Sequence, residues 1–262
     1  MGTLAGFLRT GLKQGTGKLT GLLRRKWREQ TSFNAQLKTF RELAGRTTQR
    51  FALNEADLYP CLSDATATTG FDRHYVYHPA WAARILASTS PEEHVDISSS
   101  LHFCTMLSAF IPVKFYDYRP AQLDLPNLTS SFADLMALPF ESRSQKSLSC
   151  MHTVEHVGLG RYGDPLDYDG DIKAIAELQR VVAEGGSLLF VVPVGKPRIE
   201  FNAHRIYSYA QVVAAFPELE LQEFALVEDD SRGGAFLPHA TESDADRQRY
   251  GCGCFWFKRP AA

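Results

Sequence analysis

One short segment, His152-Thr-Val-Glu-His156, places two imidazoles and a carboxylate within five residues. An imidazole at the end of a strand can take a proton from a hydroxyl group, which is general-base chemistry. We therefore predict that His152 is the catalytic base, with Glu155 as an alternative. His156 is equally well explained as a residue that orients the loop through hydrogen bonds.

The same five residues match the His-x-x-Glu-His signature of a class of zinc peptidases. That chemistry requires both histidines on one face of a stable helix, with the glutamate as base. Here the motif directly follows the apolar run 147–151 and meets Gly158 and Gly160 within about one turn. Glycines at that spacing disfavour a long helix. We therefore predict no metal ligands.

Three aspartates, Asp96, Asp117 and Asp134, are each associated with the end of an apolar run typical of a strand. In open α/β sheets, ligands bind beyond the carboxyl ends of the strands. A carboxylate about twenty residues after the first strand can accept hydrogen bonds from both ribose hydroxyls of a nucleoside, which fits Asp117. Asp134 can accept from an adenine amino group. Each aspartate alone is equally typical of a turn or helix cap, but three in register favour a nucleoside site.

Alternating strand and helix patterns must position these groups. Apolar runs predict strands at 94–97, 113–118, 130–135, 147–151 and 187–192, with helices at 79–86, 101–110, 171–183 and 207–216. The segment Glu184-Gly-Gly186 predicts a helix stop. Two last runs, 219–227 and 252–258, predict an antiparallel pair. The pattern predicts a doubly wound α/β sheet that is mostly parallel and ends in an antiparallel hairpin.

Polar side chains follow the fourth and fifth predicted strands in two groups: Arg161, Tyr162 and Asp164, then Asn202, His204 and Arg205. The first group suits an acceptor that carries hydroxyls or a phosphate, and Asp164 is a further candidate base. We expect the second group to close the other side of the same substrate pocket. Arg205 is equally well explained as a structural ion-pair residue.

The order of these motifs resembles that of class I S-adenosylmethionine-dependent methyltransferases. It runs from Asp96 and Asp117 through Asp134-Leu-Met-Ala-Leu-Pro-Phe140 and His152-Thr-Val-Glu-His156 to Gly185-Gly186. The resemblance extends over about residues 74–216, and its most specific stretches are 147–167 and 192–205. More narrowly, the chain looks like a methyltransferase-like domain family of unassigned function whose members often occur with glycosyltransferases of surface-polysaccharide synthesis.

The resemblance implies a Rossmann-like methyltransferase fold and S-adenosyl-L-methionine as cofactor. The positions that it assigns to cofactor binding are Asp96, Ser98, Ser100, Asp117, Arg119, Asp134, Leu135 and Met151. It implies an enzyme that O-methylates a saccharide or glycolipid intermediate of surface-polysaccharide synthesis.

One position departs from the family pattern. The pattern resembles Asp-Ile-Gly-Ser-Ser, and Ser98 stands at the glycine position. A positive φ there would strain a serine backbone. The alternative function is therefore a non-catalytic Rossmann-like module that binds a glycan or a partner glycosyltransferase.

The first 50 residues carry a charge of +9, and the remainder carries −11. Within this basic head, Leu19, Leu22, Leu23 and Trp27 recur at helical spacing between lysines and arginines. Residues 1–30 therefore suit either a peripheral contact with an anionic membrane or partner glycosyltransferase, or an exposed helix or tail. We predict a basic amphipathic extension over 1–60 and a methyltransferase domain over 61–262.

Composition narrows the location, the substrate class and the redox state of the cysteines. Charged residues interrupt every apolar run of the head, which excludes a signal peptide or a membrane span there. We expect a cytoplasmic protein, membrane-peripheral if the head binds lipid. The acidic body and the lack of a nucleic-acid motif predict a small-molecule or glycan substrate and no nucleic acid. Five cysteines, an odd number, predict reduced thiols rather than a disulfide framework.

Overall fold

The computed structural model describes residues 4–48, 50–229 and 234–261. The chain forms two compact units, Met1–Gly70 and Phe71–Ala262. The first unit consists of helix α1 (Leu4–Ala44) and a 3₁₀ turn (Glu55–Asp57), joined by an ion pair between Arg41 and Glu55.

Helix α1 includes the segment whose sequence pattern predicts an amphipathic helix. The side chains of residues 4–20 and of Leu22 lie outside the described part, while Leu23 and Trp27 are 61% and 70% exposed. Among the described residues, no helix is both long enough and apolar enough to span a membrane.

The second unit is built around one sheet of eight strands. Its elements are α2 (Arg73–Thr89), β1 (His94–Ile97), α3 (Leu101–Leu107), β2 (Val113–Asp117), β3 (Leu128–Phe132), β4 (Gln145–Met151), a 3₁₀ turn (Val154–His156), α4 (Gly170–Val181), β5 (Val182–Val194), β6 (Arg198–Glu200), β7 (His204–Ile206), α5 (Tyr209–Ala215), β8 (Glu220–Val227), β9 (Phe236–Leu237), α6 (Glu242–Asp246) and β10 (Gly251–Lys258). The strand order is β3-β2-β1-β4-β5-β10-β8-β9.

The first five strands in this order are parallel, and β10 pairs antiparallel with both β5 and β8. The order 3-2-1-4-5 is that of a doubly wound sheet whose winding reverses beside β1. The predicted α/β fold, with a mostly parallel sheet and a closing antiparallel hairpin, is confirmed.

Apolar residues cover both faces of the sheet. One face packs against α4 and α5, and the other packs against α2 and α3. Strand β5 serves both layers, because Leu188 and Phe190 belong to the first cluster while Leu189 and Val191 belong to the second. This alternation explains why the predicted central strand is a continuous apolar run.

Several element predictions differ from the structure in their bounds. The strand predicted at 130–135 is β3 at Leu128–Phe132, so Asp134 lies beyond its end. Helix α2 starts two turns before Pro79, because the Asp72 carboxylate caps it by accepting from the Tyr75 amide at 3.3 Å. The glycines expected to precede β5 lie inside it. Gly185 adopts φ +67°, and its amide donates to the Arg259 carbonyl at 3.1 Å, so the glycines form an irregular start of the strand.

All five cysteines are free thiols, as the sequence predicted. Cys61 is exposed, whereas Cys104, Cys150, Cys252 and Cys254 are buried.

Candidate active site

A cavity of about 220 Å³, here called cavity 1, lies at the carboxyl ends of β1, β2 and β4. Among its lining residues are Ser98, Asp117, Arg119, Asp134, Leu135, Met151, His152, Tyr162 and Asp164. It therefore brings together most of the residues predicted to bind cofactor. Its volume is below the roughly 300–1,000 Å³ of typical ligand pockets. Arg119 and Tyr162, both exposed, contact each other at this cavity, with the Arg119 Cζ 4.6 Å from the centre of the Tyr162 ring.

Ser98 adopts a left-handed backbone with φ +55°. Its amide donates to the Tyr116 carbonyl at 2.8 Å, which holds the loop in this conformation. A positive φ is the condition under which a serine is costly at this position, and Ser98 meets it. A non-glycine residue in the left-handed region costs about 1–2 kcal/mol.

Asp96 and Ser100 were predicted to contact the cofactor, but neither lines cavity 1. Asp96 is fully buried within the sheet, where it accepts hydrogen bonds from the Ser149 hydroxyl and from the Ser99 amide. Burial raises the pKa of Asp96 above its ordinary value. The Ser100 hydroxyl caps α3 by accepting from the Phe103 amide at 3.2 Å. In the structure the hydrogen bonds of both residues hold the loop between β1 and α3 in place.

Asp117 and Asp134 each use one carboxylate oxygen to form their own turn. Asp117 Oδ1 accepts from the Arg119 amide at 2.6 Å, and Asp134 Oδ1 accepts from the Met136 amide at 2.9 Å. Among the described residues, neither second oxygen has a hydrogen-bond partner. Each therefore remains available to a ligand in cavity 1.

His152 directly follows β4 and is hydrogen-bonded to Glu155. Its Nδ1 lies 2.8 Å from Glu155 Oε1, and the two side chains are 3% and 1% exposed. Within the described part of the chain, His152 Nε2 and Glu155 Oε2 are buried without hydrogen-bond partners. His152 also has φ +56°, and backbone strain of this kind often marks functional sites.

A second cavity of about 390 Å³, cavity 2, adjoins the first and shares Tyr75, His152, His156 and Tyr162 with it. Its remaining lining consists of Asp72, His74, Glu155, Arg161, Ala203, His204 and Tyr250. His74 stacks on His152 with ring centroids 5.3 Å apart, and Tyr250 stacks on the same His74 ring at 5.3 Å. Cavity 2 is thus a polar site with aromatic walls.

Burial determines most protonation states here. It lowers the pKa of His74 to about 4 and also lowers the pKa of His156. Burial acts to raise the pKa of Glu155, but the hydrogen bond from His152 holds that pKa below its ordinary value. Near neutral pH, His74 and His156 are therefore neutral and Glu155 is ionised.

The remaining predicted residues divide between the cavities and the scaffold. Asp164 lines cavity 1, and its carboxylate also accepts from the Gly158 amide at 2.8 Å and thus holds the glycine loop. Arg161 and His204 line cavity 2, whereas Asn202 is exposed and lines neither cavity.

Arg205 is buried and bonded to the scaffold. It donates to the carbonyls of Val157 and Tyr168 at 2.6 and 2.9 Å and pairs with Asp171 at 3.4 Å. This arrangement matches the structural ion pair that the sequence left open for Arg205.

The peptidase geometry does not form. His152 lies at a strand end and His156 in a 3₁₀ turn of three residues, so the two histidines are not on one helical face. His156 Nδ1 lies 2.6 Å from the Ala203 carbonyl oxygen, which agrees with an orienting role.

Three residues that line the cavities were not predicted from the sequence: His74, Tyr75 and Tyr250. The first two lie in the first turn of α2, and Tyr250 directly precedes β10. No short-range spacing links them to residue 152. The available local signal was Asp72, a typical N-cap residue, which would have extended the helix back to them.

Comparisons with known proteins found one matching family and a number of similar solved structures. The matching family is described as a Caenorhabditis protein of unknown function, DUF268, and the match covers residues 140–227. No curated protein matches the chain in sequence.

Three solved structures illustrate the likeness. The YcgJ protein of Bacillus subtilis is 15% identical, with 70% of this chain and 99% of that chain covered and a TM-score of 0.48. A TehB-like SAM-dependent methyltransferase of Corynebacterium glutamicum is 14% identical, with 86% and 97% covered and a TM-score of 0.47. The N-methyltransferase NodS of Bradyrhizobium japonicum, in complex with S-adenosyl-L-homocysteine, is 13% identical, with 70% and 85% covered and a TM-score of 0.44. At these values the likeness carries no conclusion about activity.

Proposed function

We propose that the protein is an S-adenosylmethionine-dependent O-methyltransferase. The observation that carries the proposal is the meeting of two cavities at His152, one at the strand ends and one beside it. A transferase needs a donor site and an acceptor site that share one reacting point, and in-line transfer depends mainly on their relative placement.

The residues of cavity 1 fit the nucleoside and sulfonium parts of the cofactor. Asp117 has a free oxygen for a ribose hydroxyl, and Asp134 has one for the adenine amino group. Leu135 and Met151 are buried and offer apolar wall. The three carboxylates and single arginine of the lining favour a ligand with cationic groups.

The acceptor is activated by His152 in this proposal. When bound, S-adenosylmethionine supplies an electrophilic methyl group on a sulfonium centre. His152 Nε2 accepts the proton of the acceptor hydroxyl, because Nδ1 is engaged by Glu155. The ionised Glu155 holds the imidazole in this tautomer and balances the charge of the imidazolium that forms.

We further propose a saccharide or glycolipid as the acceptor. Hydrogen-bonding groups and ring faces together suit a sugar, and cavity 2 offers Arg161, His204 and Asp72 beside Tyr75 and Tyr250. Because burial keeps His74 and His156 neutral, the lining favours a neutral hydroxylated ligand over a strongly anionic one.

Calorimetry of the full chain with S-adenosylmethionine and S-adenosylhomocysteine tests the proposal. We expect binding of both, and Asp117→Ala should weaken it by roughly 10–100-fold, since a hydrogen bond to a charged group contributes about 1.5–3 kcal/mol. Asp124→Ala is the matched control, because Asp124 is exposed and lies outside the lining of cavity 1.

If calorimetry shows no heat at millimolar S-adenosylmethionine or S-adenosylhomocysteine, the methyltransferase proposal is overturned and the non-catalytic binding module is favoured. The observation on the side of that alternative is Ser98, whose side chain lines cavity 1 from a strained backbone. Equal affinities of the Asp117 and Asp124 variants would instead show that the ribose site lies elsewhere.

A further inference from the structure

His74, His152 and Cys252 form a cluster from three separate elements: α2, the end of β4 and β10. One nitrogen of each imidazole and the Cys252 sulfur all lie within 4.8 Å of one another. Tetrahedral zinc has ligand atoms roughly 3.3–3.6 Å apart, given bonds of about 2.0–2.3 Å. A contraction of about 1 Å would therefore bring the three atoms into a coordination shell.

His152 gives an independent sign that a ligand belongs here. Its Nε2 is buried without a hydrogen-bond partner among the described residues, on a side chain that is 3% exposed. Its Nδ1 is held by Glu155. Metal-binding histidines usually donate their second N–H to a carboxylate in this way, which fixes the tautomer and directs the free lone pair to the metal.

The surroundings suit a divalent cation. Asp72 and Glu155 line cavity 2 beside the cluster and supply negative charge. His74 and His152 also line cavity 2, so a metal held by the cluster would take its fourth ligand from that cavity. Three protein ligands with one open position are typical of zinc sites that bind water or substrate.

We propose that His74, His152 and Cys252 bind one Zn²⁺ through the two imidazoles and a thiolate. On binding, the Cys252 S–H bond breaks, the sulfur bonds to the metal, and the proton passes to solvent. The proposal does not depend on methyl transfer. Because it uses the same Nε2, metal binding and proton acceptance by His152 exclude each other, and zinc is expected to block the general-base reaction.

Titration of chelator-treated full-length protein with Co²⁺, followed by displacement with Zn²⁺, is the test. We expect one equivalent of Co²⁺, a thiolate-to-cobalt charge-transfer band and release of one proton. His74→Ala and Cys252→Ser should each weaken binding at least about 100-fold, and Cys252→Ser should also abolish the band. Glu155→Gln should weaken binding by roughly 10–100-fold.

Two controls make the result specific. Cys254 lies on the same strand as Cys252, with the two sulfurs 3.9 Å apart, so Cys254→Ser is the first control. The second is His204→Ala, which removes another imidazole of cavity 2. Both should retain the band and the stoichiometry. His74 is half-buried at the helix start, so its variant serves if Cys252→Ser fails to fold. The absence of stoichiometric binding by the native chain, or unchanged affinity in the His74 variant, would overturn the proposal whatever the outcome of cofactor calorimetry.

Discussion

The Nδ1 atom of His152 lies 2.8 Å from Glu155 Oε1 in a region that excludes nearly all solvent from both side chains. An ionised carboxylate can only accept a hydrogen bond, so the proton of this contact resides on Nδ1. The lone pair is thereby fixed on Nε2, which has no other hydrogen-bond partner in the described part of the chain. This one contact gives the imidazole its orientation and its tautomer.

Glu155→Gln removes the charge while keeping the side-chain volume. We expect kcat to fall by roughly 10²–10⁴-fold, the usual contribution of general-base catalysis, with the affinity for S-adenosylmethionine unchanged. Transfer of a radiolabelled methyl group to a panel of saccharides and glycolipids measures the effect. His102→Gln, an exposed histidine outside both cavities, should behave as wild type. A weakened affinity at constant kcat would contradict the assignment.

Ser98→Gly should stabilise the protein by about 0.5–1 kcal/mol. Glycine relieves the strain of the left-handed backbone, which costs a non-glycine residue about 1–2 kcal/mol. It also increases the entropy of the unfolded chain, which offsets part of this gain. Ser100→Gly is the matched control, because Ser100 has φ −81° and caps α3, so that variant should lose a few tenths of a kcal/mol. Urea unfolding measures both, and the same sign for the two would refute the strain argument.

Arg205→Met should lower the free energy of unfolding by about 3–5 kcal/mol, because it leaves Asp171 as an unpaired buried charge. Of the partners that the described residues give this carboxylate, the Tyr207 hydroxyl would remain, at 2.9 Å. Arg198→Met removes an exposed pair with Glu200 and should cost only about 0–1 kcal/mol. Thermal and urea unfolding would distinguish them; similar losses would argue against a structural role of Arg205.

Stability should decrease with acidification because of His94. This buried side chain is bonded to the hydroxyls of Ser147 and Ser149 at 2.7 and 2.8 Å, and burial lowers its pKa to about 3. Between the unfolded pKa of about 6.5 and the folded value, the unfolded chain binds more protons. The stability contributed by His94 is therefore complete above about pH 6.5 and decreases by about 1.4 kcal/mol per pH unit below it.

His94→Gln provides the comparison for this titration. The stability difference between wild type and variant should shrink by that slope as the pH falls from about 6.5 to 5, as measured by urea unfolding. A difference that stays constant with pH would contradict the prediction.

The sequence predicted the parallel core of the sheet and two residues that line the candidate site. Apolar runs gave β1 with its observed bounds, because strands buried on both faces leave a strong continuous signal. His152 and Asp117 were found because ligand groups of a parallel sheet lie at strand ends, which a sequence can mark.

The other features of the candidate site depend on packing between segments that are far apart in the sequence. Asp96 lies opposite Ser149 in the register between β1 and β4, and that pairing, invisible along the chain, turns its carboxylate into the sheet. His74 and Tyr250 reach His152 only after α2 and β10 have packed. The contact of residues 1–30 with a membrane or a partner stays a prediction.

Because the cysteines differ in exposure, thiol labelling can report the unfolding of the protein. A thiol reagent should modify Cys61 at once under native conditions, because it is the exposed cysteine of the five. The other four react only when the sheet or its helices open. Their labelling rates, resolved by mass spectrometry, would therefore report the opening of the second unit, while Cys61 provides an internal reference from the first.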